Sequence, residues 1–184
     1  MIGFLAVAVV VIVAPGPDFA LTLKNTVRGG GVATAFGVVT GQVAWVVATA
    51  AGVAALLAAS HPAFVALRLV GAAYLVWLGL ATLLARGRHA SRNGAGSPYR
   101  QGLLSNLANP KMPVFFISLL PQFGGSFIAL TAHGFVFATL TLCWLTVVSR
   151  GARMLLVPRM RRLADVVTGV VLVALGLRLA TERR

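Results

Sequence analysis

Between Arg28 and Arg68 the chain holds no Asp, Glu, Lys or Arg, a run of 39 residues. As one α-helix, at about 1.5 Å per residue, it would extend about 58 Å, close to twice the hydrocarbon thickness of a bilayer. It must therefore fold back once. Ser60-His61-Pro62 supplies the turn, because proline cannot continue a helix. A second run of 38 residues, between Lys111 and Arg150, behaves the same way, with its break at Pro121-Gln122-Phe123-Gly124-Gly125-Ser126.

Composition agrees. Hydrophobic residues make up 59% and charged residues 10%, against about 45–50% and about 25% in a soluble domain. Too few ionisable groups remain to cover a water-facing surface, and the apolar excess excludes disorder. Cys143 is alone, which excludes an internal disulfide framework, a cysteine metal cluster and a dithiol relay. The net charge of +13 does not point to nucleic acid, because the cations sit in short clusters between apolar runs, as in membrane-flanking loops. An all-α integral membrane protein embedded in lipid is expected.

Six segments are read as spans: Ile2–Leu23, Val32–Ala59, Phe64–Ala85, Leu103–Leu120, Phe127–Ser149 and Leu163–Ala180. All must be helices, since lipid cannot satisfy stray backbone groups. The first lacks a basic leader and is long enough to span, so it is read as a span and not as a cleaved signal peptide. Eleven cations lie in the loops after the first, third and fifth segments: Lys24, Arg28, Arg86, Arg88, Arg92, Arg100, Arg150, Arg153, Arg159, Arg161 and Arg162. The loops after the second and fourth hold none, so the basic loops are placed in the cytoplasm and both termini outside. The tail cations Arg178, Arg183 and Arg184 pull the other way. Residues 86–102 form a basic, Gly/Ser-rich cytoplasmic linker between a first three-helix repeat (1–85) and a second (103–184).

Three helices per half is odd, so the halves enter the membrane with opposite polarity, as two inverted repeats. The opening helix of each is interrupted by proline: Ala14-Pro15-Gly16-Pro17-Asp18 in one, Asn106-Leu107-Ala108-Asn109-Pro110-Lys111-Met112-Pro113 in the other. Paired interruptions in corresponding helices point to a site at mid-membrane. Pro15 and Pro17 free the carbonyls of Val11 and Val13, and Pro110 and Pro113 those of Asn106 and Asn109. Each restarting helix also presents unpaired N–H groups. Freed acceptors beside freed donors suit a zwitterion. The plainer alternative is a kink that only shapes packing.

Asp18 is the one acid well within the apolar spans. A carboxylate there costs about 2.5–3.5 kcal/mol, so its default reading is functional: carrying a proton, or neutralising a substrate ammonium. Capping the half-helix after Pro17 is the compatible alternative. Gly16 belongs to the break. Thr22 and Asn25 share the face of Asp18, and Gln42 lines the path or packs between helices. Lys111 is expected near the cytoplasmic mouth, or snorkelling. Asp165 pairs with Arg161 or Arg162, and Glu182 is solvated. His61 and His133 are read as structural. Trp45, Tyr74, Trp77 and Trp144 are read as packing or interface residues. Gly37-x-x-x-Gly41 allows close helix approach, within one chain or between copies in a homo-oligomer.

Taken together, Ala14-Pro15-Gly16-Pro17-Asp18, Arg28-Gly29-Gly30-Gly31, Gly71-Ala72-Ala73-Tyr74-Leu75-Val76-Trp77-Leu78-Gly79, Gly102-Leu103-Leu104-Ser105-Asn106-Leu107-Ala108-Asn109-Pro110-Lys111, Phe115-Phe116 and Leu120-Pro121-Gln122-Phe123 resemble the LysE/RhtB amino-acid exporters over nearly the whole length. The resemblance implies export of amino acids or their derivatives across the bacterial inner membrane, against proton entry. Members are usually somewhat longer, and carry His where Gln42 stands.

Other functions fit less well. A two-aspartate intramembrane protease lacks its second acid, and Ser118 lies in no G-x-S-x-G motif and has no evident base. No cofactor is implied. A metal-ion carrier is disfavoured because hard cations want several oxygen anions. A non-transporting assembly partner would not need paired helix breaks.

Overall fold

The computed structural model describes residues 2–14, 16–84, 96–151 and 158–181. Pro15, the linker residues Arg86, Arg88 and Arg92, Arg153 and the tail from Glu182 lie outside that set. The described residues are helical, joined by turns. α1 (Ile2–Val13) and α2 (Pro17–Val27) are two halves of one bent helix, with an angle of 53° at the break. α3 (Gly31–Ala59) and α4 (His61–Leu84) meet at Ser60, and Pro62 falls in the first turn of α4, where its missing N–H is tolerated. α5 (Pro98–Leu107) leads through a second break into α6, a composite over residues 111–123. Lys111–Pro113 is α-helical, Val114–Leu119 is π-helical and Leu120–Phe123 is a 3₁₀ turn. α7 (Phe127–Arg150) and α8 (Pro158–Thr181) complete the chain.

Among the described residues two stretches are long and apolar enough to cross a membrane, Gly31–Gly52 and Phe127–Arg150, and the bent α1–α2 pair makes a third if it is one span. Val47, Val70, Trp77 and Ile128 point outward, each more than half exposed. An apolar exterior of this kind suits lipid better than water.

Local chemistry explains the boundaries. Ser97 accepts a hydrogen bond from the Arg100 N–H at 3.4 Å, and Pro98 takes the first helical position, so α5 starts five residues before the expected Leu103. Residues 98–102, read from sequence as linker, are therefore helix. α2 ends in a Schellman turn: the Gly30 N–H donates to the Asn25 carbonyl at 2.8 Å and the Gly29 N–H to the Thr26 carbonyl at 3.0 Å. Gly29 adopts φ +77°, which explains one glycine of the Gly-Gly-Gly sequence. Ser126 caps α7, accepting from the Ala129 N–H at 3.2 Å.

Packing relies on small residues at the crossings. α3 lies against α5 so closely that a Cβ on Gly37 would sit 2.0 Å from the Tyr99 carbonyl oxygen, and one on Gly102 2.2 Å from that of Thr34. Gly37 and Gly41 thus serve contact within one chain, Gly41 lying under Asn106. α4 crosses α8 at Gly79 and Gly169 in the same manner. The core is aromatic: Phe115 stacks on Phe137 with ring centroids 4.0 Å apart, and Phe116 meets Phe137 edge-on. These contacts fix the π-helical segment of α6 on α7. His133 packs edge-on against Phe4 at 4.6 Å and donates from Nδ1 to the Ala129 carbonyl, a structural role.

Candidate functional site

The two breaks lie beside each other. Pro17 opens α2 at its first position, and Gly16, the N-cap, supplies no side-chain cap. Asp18 follows in the first turn, where the helix N-terminus favours a carboxylate. It does not cap α2. Its Oδ1 accepts from Ser105 Oγ at 2.7 Å, and its Oδ2 accepts from Asn106 Nδ2 at 2.8 Å and Asn109 Nδ2 at 2.9 Å. Asn109, just past the Ala108 C-cap of α5, lies four residues after Ser105 and three after Asn106, and all three reach the carboxylate from the end of that helix. Asp18, Asn106 and Asn109 are buried.

Asn109 is oriented by its neighbour. The Lys111 backbone N–H donates to Asn109 Oδ1 at 3.1 Å, which turns the amide nitrogen toward Asp18. The Lys111 ammonium goes the other way. It donates to the main-chain carbonyls of Val11 and, at 3.2 Å, Ala14, at the end of α1. Its side chain is 7% exposed, so it neither snorkels nor sits at a mouth. Asp18 acts on it electrostatically. Each break thus lends an ion to the other: the carboxylate of the first is held by donors of the second, and the ammonium of the second fills carbonyls of the first.

The breaks are otherwise unlike. The carbonyls of Asn106 and Asn109, expected to be free, accept from the N–H groups of Asn109 at 3.1 Å and Met112 at 3.0 Å. The second break closes on itself, and only the first needs a side chain from elsewhere. That Val11 carbonyl, also expected to be open, is taken by Lys111.

A cavity of about 30 Å³ lies between the breaks and α3 and α7. Gly16, Asp18, Gln42, Asn109, Lys111 and Thr141 give it polar walls, and Phe19, Val38 and Phe137 apolar ones. It has room for water-sized guests and is far below the roughly 300 Å³ a small-molecule site needs. Gln42 Nε2 donates to Thr141 Oγ1 at 3.2 Å, and Thr141 donates on to the Phe137 carbonyl. Gln42 Oε1 is buried with no hydrogen-bond partner, as is Asn106 Oδ1. A buried acceptor without a partner costs about 1–3 kcal/mol and asks for a reason.

Of the residues singled out from sequence, Gly16, Asp18, Gln42, Asn109 and Lys111 meet at the cavity, and Asn106 holds Asp18. Thr22 is buried but bonds the main-chain carbonyl of Asp18 at 2.8 Å, not its carboxylate. Asn25 leaves the site and donates to Thr34 Oγ1 and Gln101 Oε1. Pro17 and Pro110 are exposed and shape the breaks; Pro15 is outside the described residues. Sequence reasoning passed over Ser105 and Thr141. The spacing of Ser105 to Asn109 could have flagged the first. Nothing local marks the second. Among the described residues no cluster of His, Cys, Asp and Glu could hold a metal ion.

Residues 9–183 match the family model described as LysE type translocator. The chain is 31% identical over 140 residues to the uncharacterized membrane protein YrhP of Bacillus subtilis, covering 67% of each chain. It is 36% identical over 129 residues to the leucine efflux protein of Salmonella typhimurium, covering 65% of this chain and 61% of that protein. It is 30% identical over 180 residues to the threonine efflux protein of the same organism, covering 88% and 86%. The chain thus spans about two thirds of the length of the curated relatives it matches first. No solved structure matches. A match to the family model across almost the full length settles the membership: this chain belongs to the LysE-type translocators, transporters of the membrane and not enzymes.

Proposed function

We propose that the chain exports small amino acids or their derivatives across the bacterial inner membrane in exchange for protons. It would do so as six spans in two inverted halves, the first ending near residue 85 and the second opening with α5, joined on the cytoplasmic side by the residues between them. The observation that carries this reading is the exchange of ions between the breaks. Asp18 of the first is held by Ser105, Asn106 and Asn109 of the second, while Lys111 of the second occupies α1 carbonyls of the first. α1 and α2 together span about 35 Å at 1.5 Å per residue, so their junction falls near half the bilayer depth. Substrate and protons act where the halves grip each other. Protonating Asp18 turns three charge-assisted bonds into weaker ones, which loosens that grip and favours rocking of one half on the other. The names of the leucine and threonine efflux relatives support a neutral, compact substrate, and the apolar walls Val38 and Phe137 suit an aliphatic side chain.

The test is flux of leucine and threonine from vesicles holding the purified protein, with and without an imposed pH gradient. Gradient-driven flux that Asp18→Asn abolishes supports the reading. Flux indifferent both to the gradient and to this substitution rejects proton exchange, and the absence of any amino-acid flux rejects export.

A further inference from the structure

We propose that Lys111 is a built-in occupant of the subsite for the substrate's ammonium group, and that loading requires the substrate to displace it. The proposal rests on the export reading for the identity of the displacing ligand. The end of α1 carries the partial negative charge of a helix C-terminus, with main-chain carbonyls that the break leaves without helical donors. A compact ammonium with three N–H donors matches such carbonyls, and the chain supplies one from residue 111, on Val11 and Ala14. The α-ammonium of an amino acid is the same chemical group. Across the break, Gly16 leaves the start of α2 without a side-chain cap, and its backbone faces the same cavity. Once the cavity widens beyond its 30 Å³, a zwitterion can lie across the gap, ammonium toward the end of α1 and carboxylate toward the start of α2. Lys111, once displaced, stays beside it as counter-ion to that carboxylate. One cation thus fills the subsite when it is empty and balances the ligand when it is loaded. The ligand class is a primary ammonium compound with a small apolar body. Quaternary amines lack the N–H donors and are excluded.

The experiment is chemical rescue, read as the melting temperature of the purified full-length protein in micelles. Lys111→Ala exposes the two carbonyls and lowers the melting temperature. n-Propylammonium at millimolar concentration restores it, and tetramethylammonium does not. The wild type responds only at about tenfold higher amine or more, because its own lysine competes. Equal responses of wild type and variant, or equal rescue by tetramethylammonium, overturn the proposal. Lys111→Met, which keeps the length of the side chain, serves as the second variant and should behave likewise. Should neither hold its fold alone, purification in n-propylammonium recovers folded protein if the proposal is right, and failure to recover it overturns the proposal. The readout is not flux. A protein that exports nothing yet shows the amine response sinks the export reading alone, and intact export without the response sinks this one alone.

Discussion

Replacing Asp18 by Asn and by Ala separates its charge from its hydrogen bonds. Both variants remove the same charge, so the cost of burying a carboxylate cancels when one is compared with the other. What differs is the fate of three donors. In Asp18→Asn the new amide oxygen can accept from Asn106 and Asn109, which now share Oδ2 at 2.8 and 2.9 Å. The new amide nitrogen can donate to the Ser105 hydroxyl, which is free to rotate and accept. In Asp18→Ala all three donors lose their acceptor inside the protein. At about 1–3 kcal/mol for each orphaned group, the alanine variant should be less stable than the asparagine variant by about 3 kcal/mol even at the low end. For a chain of this size that is about 6–12 °C in melting temperature. Thermal unfolding in micelles measures the difference, and vesicle flux under a pH gradient shows whether the folded asparagine variant still couples. Equal melting temperatures for the two variants would refute the hydrogen-bonded triad. Full gradient-driven flux in Asp18→Asn would refute the proton role while leaving the triad intact.

Ser105→Ala should cost about 1.5 kcal/mol, the low end for a bond to a charged group, and Ser105→Thr should restore it; chemical denaturation distinguishes the two. Gln42→Leu should leave the melting temperature unchanged or raise it, because Oε1 has no partner to lose and Thr141 keeps its bond to the Phe137 carbonyl, while vesicle flux falls; a large loss of stability would contradict the geometry. Gly37→Ala drives a Cβ to within 2.0 Å of the Tyr99 carbonyl, where only backbone movement helps, and should destabilise by about 1–3 kcal/mol. Gly52→Ala, with nothing within 4 Å, should instead stabilise α3 by about 0.5–1 kcal/mol; thermal shifts of opposite sign check the pair.

Much of the architecture was legible before any coordinates. Long uncharged runs dictate helices that bury their backbone polar groups, and proline acts on the carbonyl four residues back wherever it sits, so both breaks and the hairpins at Ser60 and Pro121 follow from local rules. Ser97-Pro98 is an equally local cap and first-position signal, and reading it would have placed the start of α5 correctly. The π-helical stretch Val114–Leu119 was not legible, and neither was the meeting of its Phe115 and Phe116 with Phe137 across the molecule.

What the sequence alone determined was where the two helices break, that the first break opens the Val11 carbonyl, and that Asp18 would need partners. Which groups answer was decided only in three dimensions. Lys111 and Val11 are 100 residues apart, Gln42 and Thr141 are 99 apart, and their bonds exist because α6 packs on the end of α1 and α3 on α7. A helix break is a property of a few neighbouring residues. The filling of its empty carbonyls is a property of how separate helices pack, and no local pattern encodes it.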